Sequence, residues 1–496
     1  MLIDQTKTPV FDAVRKYMNE EIVPFHVPGH KQGRGIPEFL DFVGNNTLGI
    51  DLTCLPDTDN ICNPKGAIAE AEKLAAVAFG ADKAFFLVNG TTSGIQAMIM
   101  SVCNPGDKII LPRNAHKSAF GGLIISGAIP VYVRPEMDQE FGISTGISVE
   151  SIRAALEEHP DAKAVFLINP NYYGTASNLT EIVKLAHNYR VPVLVDEAHG
   201  AHLHLSDELP LSAMEAGADV AASSTHKLLG SMTQSSILLV KSNLVKAQRI
   251  KAVLNITQTT SPSYLLLSSI DVARKQMALE GKDTIKRTLD LAKWARLQIK
   301  EIKGFKLFEP CEQTAGCEKY DITKITINAK AFGLSGYDLE RILRSEHKIQ
   351  VELADLYNVI LLISLADNKE TIEYLVHCCR EIASKRTYQN IVKYAPSWPA
   401  IPPVSVTPRD AMYSCEPKTM LLSEAVGEIS AEMIMAYPPG IPLVCPGEYI
   451  TQEVVEYVQV LKNEEADLQG TEDPNVDYIN VLRPALALLD VDEQIG

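Results

Sequence analysis

Lys227 closes the stretch Asp219-Val-Ala-Ala-Ser-Ser-Thr-His-Lys227-Leu-Leu-Gly230, in which an apolar run gives way to small hydroxylic residues, a histidine and one lysine. An ammonium at the end of a buried strand loses its hydration at high cost unless the amine is neutral or covalently committed. Condensation with an aldehyde achieves both. Upstream, Pro192-Val-Leu-Val-Asp196-Glu197-Ala198-His199-Gly200 has the same form, an apolar strand that delivers a carboxylate at its carboxyl end. An amine and a carboxylate so placed suggest pyridoxal phosphate (PLP), whose aldehyde takes the lysine and whose pyridinium nitrogen needs a carboxylate partner. Glu197, the next residue along the strand, points to the other face and is expected to be structural.

A phosphate needs donors, and Ala84-Phe-Phe-Leu-Val-Asn89-Gly90-Thr91-Thr92-Ser93-Gly94 supplies them. The segment reads as a strand, a glycine turn and the start of a helix that runs from Ile95 to Val102. Main-chain N–H groups at a helix amino terminus, with the hydroxyls of Thr91, Thr92 and Ser93, form an anion site. The same residues taken alone also suit an ordinary helix N-cap. Ser224 and His226, beside Lys227 and able to reach the same phosphate, favour the anion site.

The elements that must hold these residues are strand-like runs at Phe85–Val88, Lys108–Leu111, Val131–Val133, Ala164–Ile168, Val193–Val195, Val220–Ser223 and Ser236–Val240. Helical patterns such as Ser151–Glu158 and Leu179–Asn188 separate several of them. This alternation predicts an α/β fold with a mostly parallel sheet covered on both faces. Ligands bind beyond the carboxyl ends of such strands, where Gly90, His116, Asp196 and Lys227 would emerge. The expected organisation is an N-terminal segment (1–50), a large cofactor-binding domain (51–300), a smaller α/β domain (301–392), a Pro-rich linker (393–404) and a small C-terminal domain (405–496). A helix-rich stretch spans Ile270–Lys303.

The chain has 496 residues, 46% of them hydrophobic and 22% charged, enough to bury a large core divided among two or three domains. Its formal charge of -16 argues against nucleic acid as a partner, because backbone binding needs clustered Lys and Arg. The start of the chain lacks a basic region followed by an apolar core, and no apolar run is long enough to span a bilayer, so a cytoplasmic location is expected. The nine cysteines form no C-x-x-C pair and are expected to be reduced.

The chain resembles the Orn/Lys/Arg decarboxylase family, fold-type I PLP enzymes with an aminotransferase-like large domain. Ser224-Thr225-His226-Lys227 matches the family's lysine motif. The likeness extends to Phe25-His26-Val-Pro-Gly-His30-Lys31, Tyr437-Pro-Pro-Gly-Ile-Pro442 and Pro446-Gly447-Glu448. Within the family it is similar to the shorter bacterial members, since no receiver-like wing domain precedes the Phe25 motif. That likeness implies arginine decarboxylation to agmatine and carbon dioxide in polyamine biosynthesis, with lysine to cadaverine or ornithine to putrescine as alternatives.

The resemblance further implies roles for individual residues. His116 stacks on the cofactor ring, and Asp196 keeps the pyridine nitrogen protonated through a charge-assisted bond. Thr260 and Ser261, in Thr259-Thr260-Ser261-Pro262-Ser263-Tyr264, reach the cofactor phosphate of a partner subunit, which implies a homodimer or higher homo-oligomer with its sites at the subunit interface. His199 departs from the larger inducible members; it and Lys227 are the candidates for protonating the α carbon. A guanidinium or ammonium on the substrate requires carboxylates, and Glu448 and Asp57 are the expected providers, although both also read as exposed loop acids. Two further readings remain at this point. His199-Gly-Ala-His202-Leu-His204 beside Asp196 would suit a metal-dependent hydrolase, a reading that leaves Lys227 and the Gly90 turn unexplained. A catalytically silent relative is the other, although such a copy is free to lose Asp196, His116 and Lys227.

Overall fold

The structure is a computed structural model that describes residues 3–20, 22–388, 398–413, 416–437 and 440–483. Its centre is a seven-stranded sheet. The strands lie in the order Lys83–Leu87, Ser236–Val240, Val220–Ser223, Val193–Asp196, Ala164–Ile168, Lys108–Pro112, Ile129–Val133. Ser236–Val240 runs antiparallel to both of its neighbours, and every other pairing between neighbours is parallel.

The strands read as unbroken apolar runs because each of their faces is covered. Phe86, Ile110, Val165, Leu167, Val193, Val195, Ala221 and Leu239 enter one core. Their alternating neighbours Leu87, Ile109, Leu111, Phe166, Leu194, Ala222 and Leu238 enter the other. This is the two-residue period of a strand with helices above and below. Full burial of a side chain such as Phe166 contributes roughly 1.5–3 kcal/mol.

A helix from Tyr264 to Lys300 is started by Ser263, whose side chain accepts from Leu266 N. Its buried stripe recurs every three or four residues. Ile270, Met277, Ile285 and Leu289 pack on the large sheet, whereas Ala292, Ala295 and Ile299 pack into the next unit. That unit is a four-stranded sheet, Lys306–Leu307, Lys324–Asn328, Asn358–Leu362 and Leu353–Ala354, antiparallel throughout. Helices Gly336–His347 and Lys369–Ser384 complete it. Cys378 and Cys379 are buried in the second of these.

The expected linker at 393–404 lies partly outside the described residues. From Trp398 onward it belongs to the last unit: the Trp398 and Tyr457 rings meet edge to face, and Ala400 N donates to Glu453 Oε2. Helix Gln452–Asn463 and short antiparallel strands form that unit's core around Ile434, Val444, Val454 and Val458.

Candidate active site

Four parallel-sheet connections converge on one cavity of about 560 Å³. Gly90, Thr91 and Thr92 enter it from the loop after Lys83–Leu87, His116 after Lys108–Pro112, Asp196 from the end of its own strand, and Ser224, His226 and Lys227 after Val220–Ser223. The antiparallel strand presents its amino end at the same edge, which brings in Thr233 and Gln234. The strand ends expected to carry the chemistry therefore do surround one space.

The Gly90 turn is built to leave donors free. Gly90 has φ +69°, a conformation glycine adopts without steric cost, and its N–H is held by Gln234 O at 2.9 Å. The Gly90–Val102 helix begins there with no side-chain cap, so an N-cap does not account for the hydroxylic residues. Thr91 Oγ1 bridges Ser224 Oγ and, at 2.8 Å, Ser236 Oγ. His226 Nδ1 donates to Ser235 O at 2.7 Å, which directs Nε2 away from that carbonyl. Hydroxyls, an imidazole and an uncapped helix terminus together suit a phosphate.

Asp196 is buried and accepts one main-chain hydrogen bond, from Ala198 N at 3.0 Å. Burial pushes its pKa up to about 6, against the pull of Ala198 N–H and Lys227. A buried carboxylate lining a cavity fits a ligand N–H of positive character. Its neighbour Glu197 faces the other way, accepting from Ala213 N at 2.6 Å and Ser223 Oγ at 2.8 Å.

Lys227 Nζ lies 2.7 Å from His199 Nε2. Burial lowers the lysine pKa, opposed by Asp196 and Glu352, so a neutral amine is within reach. Burial and the Lys227 charge hold His199 well below the usual imidazole range. His116 is neutral too, its pKa lowered to about 4 by burial and by Lys227. Its Nδ1 accepts from Ser118 N at 3.2 Å, so the proton resides on Nε2 and the ring is fixed in orientation.

Other expected site residues lie elsewhere. Glu448 is not in this cavity: it is 1% exposed, pairs with Arg113 Nη2 at 2.9 Å and accepts from Cys445 N at 2.8 Å. Arg113 also donates to Pro442 O at 2.7 Å, so Glu448 clamps the C-terminal unit to the large sheet. Asp57 is exposed and does not line the cavity. Thr260 and Ser261 are exposed and do not line the cavity of their own chain. The three imidazoles of the His199–His204 run diverge, His202 turning to Asp321 at 3.0 Å and His204 to the Phe79 ring. Among the described residues no group of three metal-ligating side chains forms.

Sequence reasoning missed Tyr172, Glu352 and Tyr437, all of which line the cavity. Tyr172 sets its ring edge-on to His199 at 4.9 Å between centroids. Glu352 comes from the four-stranded unit, and its charge acts on Lys227, His226 and Tyr172. Tyr437 comes from the C-terminal unit, where Gly440 O also accepts from Lys117 N at 3.2 Å. The Tyr437-Pro-Pro-Gly run, of which residues 438 and 439 lie outside the described set, carried the only sequence signal for this approach.

Comparison with known proteins agrees with this arrangement. Residues 8–323 match the major domain of Orn/Lys/Arg decarboxylase and residues 394–475 its C-terminal domain. An arginine decarboxylase of Bacillus subtilis is 46% identical over 492 residues, covering 98% of this chain and 100% of the relative. A lysine decarboxylase structure from Francisella novicida superposes with a TM-score of 0.84 at 21% identity, over 96% of this chain and 81% of that one. A serine palmitoyltransferase of Sphingomonas wittichii shares the fold over 64% of this chain and 77% of its own, with TM-score 0.51 and 16% identity. With its lysine, carboxylate and anion cradle assembled at one sheet edge, the chain belongs to the Orn/Lys/Arg decarboxylase family.

Proposed function

We propose that the protein binds PLP on Lys227 and decarboxylates a basic L-amino acid, with arginine preferred and agmatine as product. The observation that carries this reading is the sharing of one cavity by Lys227, Asp196, the Gly90–Thr92 cradle and Glu352. When bound, PLP supplies an aldehyde that links amines and a ring that accepts the electron pair released as carbon dioxide leaves. Asp196 would hold the ring N–H and Lys227 the aldehyde carbon. Gly90, Thr91, Thr92, Ser224 and His226 would hold the phosphate, and His116 would fix the ring plane.

The protein's own groups perform the remaining work. Lys227 acts as a neutral amine, which burial favours, and His199 orients it through the 2.7 Å contact. Glu352 receives the cation at the far end of the substrate. A guanidinium meets a carboxylate through two parallel hydrogen bonds and an ammonium meets it as a point charge, so Glu352 suits either cation. Arginine is preferred because the Bacillus subtilis relative described above is an arginine decarboxylase.

We also infer that the working unit is a homodimer. Phe25 and Phe42 are 95% and 88% exposed, with Val23, Val27 and Phe39 also uncovered nearby in sequence. Such exposed apolar side chains suit a contact surface, and the family resemblance assigns Thr260 and Ser261, exposed outside the cavity of their own chain, to the cofactor site of a second copy. No described helix is long and apolar enough to cross a membrane.

Carbon dioxide release from arginine, lysine and ornithine, compared as kcat/KM, tests the substrate assignment. Arginine should exceed both by about tenfold or more, a difference of ~1.4 kcal/mol. A higher value for lysine or ornithine would reassign the substrate, and a keto acid product would replace decarboxylation by transamination.

A further inference from the structure

Against the turn that carries His199 lies an ion pair that none of these roles uses. Lys324 and Asp321 are both 0% exposed, at the start of the Lys324–Asn328 strand of the four-stranded unit. Lys324 Nζ donates to Asp321 Oδ2 at 2.8 Å and to the main-chain carbonyl of His199 at 3.3 Å. Asp321 Oδ2 also accepts from His202 Nε2 at 3.0 Å, and its Oδ1 accepts from Thr323 N at 3.0 Å. The pair thus grips both ends of the turn 199–202, from one unit of the molecule into the other. The junction is tight: Asp321 N donates to Gly174 O at 2.8 Å, and a Cβ on Gly174 would stand 2.9 Å from Lys324 Cγ.

A pair taken wholly out of water is a poor source of stability, because desolvation offsets its attraction. Its value here is geometric. His199 Nε2 meets Lys227 Nζ, whereas His199 Nδ1 is buried with no hydrogen-bond partner. The ring therefore takes its direction from its main chain, from Tyr172 and from Lys227. The main chain is what Lys324 holds.

We propose that Lys324, anchored on Asp321, is a positioning residue for the reaction: by fixing the His199 peptide it aims the imidazole that holds the Lys227 amine. The proposal rests on the reading of Lys227 as the cofactor-linked lysine. The groups facing His199 are Lys227, Lys324, Asp321, His116 and Tyr172. Those facing Lys227 are His199, Asp196, Glu352, Lys324, His116, His226 and Tyr172. Lys324 disfavours a second positive charge on either residue.

The test is a double variant, Lys324→Met with Asp321→Asn, which removes both charges and keeps the volumes close to native. In the folded, cofactor-loaded variant, kcat should fall by about tenfold or more through misorientation, with KM within about threefold of the parent. The pH midpoint of the absorbance of the Lys227-linked cofactor should rise by about half a unit or more, because Lys324 is the member of the pair whose charge lowers the Lys227 pKa. A folded variant with parental kcat and parental midpoint would overturn the proposal. If the double variant does not fold, Asp321→Asn alone, which leaves Lys324 without its anchor, decides: kcat should fall and the selective nitrogen-15 spectrum of His199 should differ from the parent's, and parental kcat with a parental spectrum would overturn the proposal. A parent protein that shows no cofactor absorbance would refute the Lys227 reading itself, a separate failure.

Discussion

Burial drives both groups expected to flank the cofactor toward their neutral forms, raising the Asp196 pKa and lowering that of Lys227. Asp196 is a buried carboxylate with its pKa raised to about 6 from an ordinary 3.8. A folded-state pKa above the unfolded one means that the folded protein holds the proton more tightly. The group's contribution is therefore present at low pH and lost as pH rises through about 6. Asp196→Asn should thus stabilise the cofactor-free protein relative to the parent at pH 8 but not at pH 4, by a few kcal/mol on the order of two pKa units. Thermal melting at the two pH values measures it. With PLP bound the order should reverse, since Asn holds a pyridinium poorly. Glu352→Gln addresses the substrate: losing a charge-assisted bond of ~2 kcal/mol should raise KM for arginine by about 10–100-fold, and the pH midpoint of the cofactor absorbance should fall, because the Glu352 charge favours a protonated nitrogen at Lys227. An unchanged KM would assign the distal cation to another group.

At the scale of elements, the clamp between Arg113 and Glu448 links the strand end that carries His116 to the C-terminal unit. Removal of one partner leaves the other buried and uncompensated, at a cost of ~3–5 kcal/mol. Glu448→Leu should lower the melting temperature and, by loosening Gly440 from Lys117, weaken PLP binding in an equilibrium titration. Parental cofactor affinity would show that the C-terminal unit is not part of the site. The sequence showed the large sheet clearly, because strands buried on both faces are continuous apolar runs: Ala164–Ile168, Val220–Ser223 and Ser236–Val240 have the bounds read from composition. It also located Lys227, Asp196 and the Gly90 turn, which sit at strand ends. Glu448 was misread because a glutamate after Pro-Gly looks exposed, and the Arg113 that neutralises it lies 335 positions away. Glu352 was overlooked for the converse reason, since a strand-edge acid has no local mark of facing a cavity built by another unit.

For the whole molecule, two copies should be needed for function. Phe25→Asp combined with Phe42→Asp places charge in the apolar surface of the N-terminal segment, and sedimentation should show monomers where the parent shows dimers. Decarboxylation should fall with the dimer fraction. A monomer with parental kcat would mean that Thr260 and Ser261 serve no neighbouring site. This scale was the least legible in the sequence, because a surface that a second copy would cover looks the same in one chain as any exposed apolar segment.

The central claim is a covalent link between Lys227 and PLP. Borohydride reduction of the yellow holoenzyme, followed by peptide mapping, tests it most directly. The account predicts bleaching and a single pyridoxyl group on the peptide that contains Lys227. A pyridoxyl group on another lysine, or a protein that binds PLP without any reducible link, would contradict it.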